Sequence, residues 1–383
     1  MLINKFTPFR QLASVYSAIL SINQAIIKSS DLHRDALHDA MRGPEQALVG
    51  IRDALSSSDI ASEVVSLRAQ VTALENSSSE VVSLRAQVTA LENSFEERVA
   101  KAIRNHVYLP TASHWSRDKP FMPFSSCSAA DFLHPRYADI CNVLDHPLIF
   151  HRKLWEWIFV FHHLEQAGVL TDGKRGVGFG VGQERLPAAF ASRGLSVLAT
   201  DAPPQIGISS GWTATGQHSD NLAELKYPRI VSDEKFDAHV SHRFCDMNAI
   251  DDDITGFDFT WSCCCLEHLG SLEAGLQFIV NSVEKALNVG GVAVHTTELN
   301  LSSNDDTIES GHTVLYRHRD LTDLVSRLRA LGHDVMPFIV APDSHVLDFY
   351  VDLPPYASSP HLKMRFDKYV TTSAGIVVRK RVH

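Results

Sequence analysis

In residues 62–77, SEVVSLRAQVTALENS, apolar side chains recur at Val64, Leu67, Val71 and Leu74. Spacings of three, four and three are those of the a and d positions of a coiled coil. Residues 79–94 repeat the stretch letter for letter and add Val81, Leu84, Val88 and Leu91. The offset from 62 to 79 is 17 residues, two heptads plus three. Such an insertion overwinds a coil locally, unless Ser77-Ser78-Ser79 breaks the helix there. Upstream, Phe9, Leu12, Tyr16 and Ile19 keep the same alternation, with Asn23 and Ile26 at the next places, and Gly43-Pro44 ends that helix. The narrow seam favours self-association over amphipathic helices packed on their own domain. Residues 1–106 are therefore expected to be a helical coiled-coil region that makes the chain a homo-oligomer.

The pattern then changes twice. Residues 107–149 are rich in Pro, Ser and His, show little periodicity, and read as a connection with short helical pieces. From residue 150 to 383, strand-like runs alternate with helical ones. This rhythm predicts an α/β domain with a mostly parallel sheet covered on both faces. Its last helix is expected at Asp320–Leu331, with GHDVMPFIV and TSAGIVVRK as a closing antiparallel pair.

Composition narrows the partners. The formal net charge of −10 opposes binding to a phosphate backbone. No run reaches the ~18 apolar residues of a membrane span, and the N-terminus is too often interrupted by polar residues for a signal peptide. The six cysteines form no CxxC pair, so no metal site is expected and a reducing cytoplasm fits best.

Candidate chemistry gathers at GVGFGVGQE, residues 176–184. A glycine turn between a strand and a helix starting near Gln183-Glu184-Arg185 lets a ligand approach the backbone. Pro187 is tolerable there only in the first helical turn. A dinucleotide fingerprint, GxGxxG, fails from Gly176, Gly178 and Gly180, because its third glycine would fall on Val181, Gln183 and Arg185. The pattern that fits is GxGxG at Gly178, Gly180 and Gly182. The next strand, SVLAT, ends in Asp201, 19 residues after Gly182, where an acid can accept from both ribose hydroxyls of a nucleoside.

With VLATD, DMN at 246–248, FDFTWSCCCLEHL at 257–269 and ALNVGGVAVHTTE at 286–298, this stretch resembles class I S-adenosylmethionine-dependent methyltransferases over about residues 150–380. The resemblance implies a Rossmann-like seven-stranded sheet of order 3-2-1-4-5-7-6. It implies that Gly178, Gly180 and Gly182 pass under the methionyl and ribose groups and that Asp201 binds the ribose. Asp246 and Met247 would frame the adenine, and Ser262 and Cys263 would bound the sulfonium. Two positions depart from the family: Gly176 stands where an acid usually meets the methionyl amino group, and Val289 replaces a proline. Arg152, Trp155 and Glu156 are candidates for the missing contact.

A narrower likeness, to bacterial methyltransferases of cell-surface glycan pathways, implies a sugar hydroxyl as acceptor. A hydroxyl needs a base, and Glu298 or His268 is expected to supply it. The polar loop Leu301–Tyr316 would bond the sugar. Trp212 would cover the adenine or the acceptor, whereas Trp155 and Trp157 read as core, and Cys263, Cys264 and Cys265 as strand-end packing. A non-catalytic scaffold, a nicotinamide enzyme, or a methyltransferase for a small acid or amine are the alternatives.

Overall fold

Five parallel strands form the centre of the domain. β1 (Arg175–Gly178) lies between β2 (Ser196–Asp201) and β4 (Phe257–Cys263), β3 (Val240–Phe244) flanks β2, and β5 (Leu287–Asn300) flanks β4. The structure, a computed structural model, describes residues 117–203 and 222–382, all within one compact unit, Thr111–His383. The coiled-coil seam and Trp212 lie outside the described residues. β4 and most of β5 are buried, as parallel strands covered on both faces must be.

Among the described residues the α-helices are α1 (Ala129–Leu133), α2 (Pro135–Val143), α3 (Arg152–Gln166), α4 (Leu186–Ser192), α5 (Asp233–His239), α6 (Leu272–Asn281) and α7 (His318–Ala330). α7 begins two residues earlier than the sequence suggests, because Arg317 caps it. The Asp320 carboxylate accepts from the Arg317 backbone N–H at 2.8 Å. Among the described residues, no helix is long and apolar enough to cross a membrane.

β9 (Tyr369–Arg379) runs antiparallel to β5 and to β6 (Asp334–Val335). The order β3-β2-β1-β4-β5-β9, with β6 against β9, is the expected 3-2-1-4-5-7-6 of a Rossmann-like α/β fold. Among the described residues the sheet has nine strands rather than seven, because β7 (Val351–Asp352) and β8 (Lys363–Phe366) extend it beyond β9. The expected strand GHDVMPFIV shrinks to its Asp334–Val335 pair. Pro337 has no N–H to give a ladder, and another segment takes the place beside β9. The Cys127 N–H donates to Ser373 O at 2.9 Å, Gly375 N–H to Ser125 O at 2.7 Å, and Ser125 N–H to Ile339 O at 2.8 Å. Residues 125–127 are thus stitched between β9 and the chain after Pro337, so the stretch read as a connection is built into the domain here. α1 follows at once, and its Asp131 carboxylate accepts from the buried Trp155 indole at 2.7 Å.

The first glycine of the motif has a packing reason. A Cβ on Gly176 would sit 2.1 Å from the Phe259 ring across the β1–β4 pair. An acid at that position would have to displace this buried ring.

Candidate functional site

The glycine loop is hung from the strands on either side of β1. Phe179 N–H donates to Trp261 O at 2.9 Å and Val181 N–H to Thr200 O at 3.0 Å. Gly180 turns with φ +60 and Gly182 with φ +51. A Cβ on Gly180 would lie 2.9 Å from Cys265 Sγ, so both the turn and the fit require glycine there. Pro187 falls in the first turn of α4, as expected. Asp201 is buried at the end of β2 and faces the loop. Its Oδ2 accepts from Gly182 N–H at 3.1 Å and its Oδ1 from Ala202 N–H at 2.7 Å.

Two cavities meet at Gly180. The larger, about 400 Å³, runs from Gly180 and Asp201 past Asp246 and Met247 to His268 and His312. The smaller, about 270 Å³, lies behind the loop against Gly182, Glu184, Cys263, Lys153 and Trp157. Asp246 anchors its own turn by accepting from Asn248 N–H at 2.9 Å. Cys265, Leu269 and Gly311 also line the larger space. Of the sequence-derived candidates, Gly180, Asp201, Asp246, Met247 and His268 are brought together around the first cavity. Gly180, Gly182 and Cys263 border the second, and Gly178 lies beneath the loop at the end of β1, where a Cβ would meet Trp261 at 2.3 Å.

Two candidates are placed elsewhere. Ser262 is fully buried and reaches His295 Nδ1 at 2.8 Å, while His295 Nε2 meets Ser282 Oγ at 2.9 Å. Successive residues of a strand face opposite sides, so Cys263 borders a cavity and Ser262 points into the core. Burial pushes the His295 imidazole down to about 3, which keeps it neutral inside this chain of hydrogen bonds. Glu298 lines neither cavity. Its carboxylate is ion-paired with the Arg152 guanidinium and accepts from Thr371 Oγ1 at 3.0 Å.

Glu298 belongs to a buried polar cluster. Glu156, wholly buried, accepts from Thr296 Oγ1 at 3.0 Å and Ser373 Oγ at 2.6 Å, with the Cys264 thiol at 2.9 Å. Burial works against the charge on Arg152, but Glu298, Cys264 and Glu156 hold its pKa above the usual value. Burial raises the Cys264 thiol well above its ordinary range and also raises Glu267, whose Oε2 accepts from Thr297 at 3.1 Å. Donor atoms of Cys264, Glu267 and Glu298 come within 4.8 Å of one another, but Arg152 already holds one of those carboxylates. Cys264 itself takes φ +45, a sparsely populated conformation for a non-glycine residue.

Among the candidates for the missing acid's role, Trp155 and Glu156 are buried and Arg152 is committed to Glu298. Their neighbours Lys153 and Trp157, one helical turn apart on α3, reach the second cavity instead. Trp157, read as core, is a cavity wall. Glu184 was missed as a ligand candidate. Its Oε2 accepts from Trp261 Nε1 at 3.0 Å, and burial pushes its carboxyl up to about 8.

The loop after β5 spends several of its polar groups on itself and on its flanking elements. Asn300 Oδ1 accepts from Ser302 N–H at 2.8 Å, Ser303 Oγ from Asp306 N–H at 2.8 Å, and Asn304 Oδ1 from Arg319 N–H at 2.8 Å. Only its Gly311 and His312 line the larger cavity. His312 O lies 2.7 Å from His268 Nδ1. A carbonyl only accepts, so Nδ1 carries a proton.

No family model and no curated protein matches the sequence. Among solved structures, the chain is similar to a Galdieria sulphuraria protein assigned as a sarcosine dimethylglycine methyltransferase. Identity there is 13%, coverage 64% of this chain and 98% of that one, and the TM-score 0.37. It is similar at 14% identity to the [4+2]-cyclase SpnF, covering 64% of this chain and 92% of that one, with a TM-score of 0.37. A Haemonchus contortus phosphoethanolamine N-methyltransferase 2 in complex with S-adenosyl-L-methionine matches at 17% identity over 46% of this chain and 37% of its own, with a TM-score of 0.29.

Proposed function

We propose that the domain binds S-adenosylmethionine across the two cavities and transfers its methyl group to an acceptor hydroxyl. The observation that carries this reading is Asp201. It is a buried carboxylate at the end of β2, fixed by two backbone N–H groups and facing a 400 Å³ cavity beside a GxGxG turn. That is the arrangement a ribose diol requires. Asp246 and Met247 border the same space from the next strand end, where an adenine would lie. The bound sulfonium supplies the electrophilic methyl group. The chain's part is to orient the acceptor and take its proton.

Between the two base candidates, His268 is favoured. It lines the larger cavity, whereas Glu298 is ion-paired with Arg152 away from both cavities. We propose a sugar hydroxyl of a bacterial surface polysaccharide or glycolipid precursor as acceptor, which rests on the narrower sequence likeness. The 301–316 loop adds little to it, since only its Gly311 and His312 line the larger cavity. His268→Ala should lower kcat by roughly 10²–10⁴ with cofactor affinity unchanged. Labelled S-adenosylmethionine should transfer its methyl group to carbohydrate acceptors. Transfer only to carboxylates or amines would overturn the acceptor, and no binding of S-adenosylhomocysteine would overturn the reaction.

A further inference from the structure

The smaller cavity brings an ammonium and a carboxyl to one wall system. Lys153 reaches it from α3 and Glu184 from the turn before α4, with Trp157 and Cys263 closing the sides. The Lys153 side chain lines this space and is 24% exposed, and its counter-charge Glu156 stands 3.6 Å away. Glu184 keeps one oxygen on the Trp261 indole at 3.0 Å. A cation and a carboxyl facing the same 270 Å³ space complement a ligand that carries both an ammonium and a carboxylate on one carbon.

Building on the proposed cofactor, we infer that Lys153 and Glu184 bind the amino-acid end of S-adenosylmethionine, Lys153 taking its carboxylate and Glu184 its ammonium. This assignment accounts for Gly176. The Phe259 ring occupies the space where an acid at that position would stand, and Glu184, two residues after Gly182, offers the carboxyl from the opposite end of the same turn. An ammonium beside Glu184 also draws its raised carboxyl back toward ionisation. Gly180 is shared by both cavities, so one ligand can pass under it with its adenosine on one side and its amino acid on the other.

Calorimetry with two ligands tests the inference on the full chain. S-adenosylhomocysteine carries the amino-acid end, and 5′-methylthioadenosine lacks it. Lys153→Met and Glu184→Gln should each weaken S-adenosylhomocysteine about 10- to 100-fold and leave methylthioadenosine within about twofold. Equal affinity of wild type and both variants for S-adenosylhomocysteine would overturn the inference while leaving the cofactor reading intact. Failure of the wild type to bind either ligand would overturn both. The unaltered protein gives a second measurement that needs no variant. It should prefer S-adenosylmethionine to its decarboxylated form by about tenfold or more, and equal affinities would remove Lys153 from the site.

Discussion

The two cavities at Gly180 are built by different means. The larger has walls of strand ends and turns, and its acids are anchored to backbone N–H groups: Asp201 on Gly182 and Ala202, Asp246 on Asn248. The smaller has walls of long side chains from separate elements. Lys153 and Glu184 there stand in front of the buried Arg152–Glu156–Glu298 cluster. Sheet hydrogen bonds position the first site, so changing a single side chain alters affinity more than architecture. Charge balance positions the second, so losing one ion disturbs every group that shared its field.

The sharpest test of that contrast is Arg152→Met. It leaves Glu298 and Glu156 buried without the guanidinium, and stability should fall by roughly 3–5 kcal/mol. Urea denaturation reads this directly, and a loss below ~1 kcal/mol would break the comparison.

Glu184→Gln gives the next largest effect, and its sign depends on pH. The folded carboxyl titrates at about 8 against an ordinary 4.5 because burial disfavours its charge. Below pH 4.5 the acid is protonated in both states and costs nothing. As pH rises from 4.5 to 8 the unfolded chain ionises first, so stability falls across that window. The glutamine variant should therefore match the wild type at pH 4 and exceed it by roughly 2–4 kcal/mol at pH 8.5. Melting curves that stay parallel from pH 4 to 9 would show that the smaller cavity stores no such strain.

The smallest effect belongs to the backbone-anchored side. Asp201→Ala should cost roughly 1–3 kcal/mol of S-adenosylhomocysteine affinity, through unpaired ribose hydroxyls and a loosened Gly182 N–H. Unchanged affinity by calorimetry would take Asp201 out of the site.

The same contrast explains what could be read from the chain. GVGFGVG and VLATD were legible because β1, its turn and β2 follow one another, so spacing alone brings Gly180 to Asp201. Lys153 was not legible. It reaches the turn only through the packing of α3, and the neighbouring Arg152 and Glu156 on another face of that helix looked equally suitable. Ser262 failed on strand parity, one position from Cys263, which does border a cavity. Glu298 lay on the expected strand, but nothing local announces that Arg152 claims it. The alternation of elements made the α/β class legible, and the strand order came from the family resemblance. The short β6 was not legible, because residues 125–127 take the place beside β9 from far away in sequence.

That insertion has a consequence for synthesis of the chain. β9 follows every other strand in sequence, yet it carries β5 on one side and β6, β8 and Ser126 around its other edge. A nascent chain shorter than about residue 379 holds β5 with an open edge and residues 125–127 with only the chain after Pro337 to pair against. The first part of the domain to emerge must wait for nearly the last, which makes the fold slow to close and leaves an aggregation-prone edge exposed during translation.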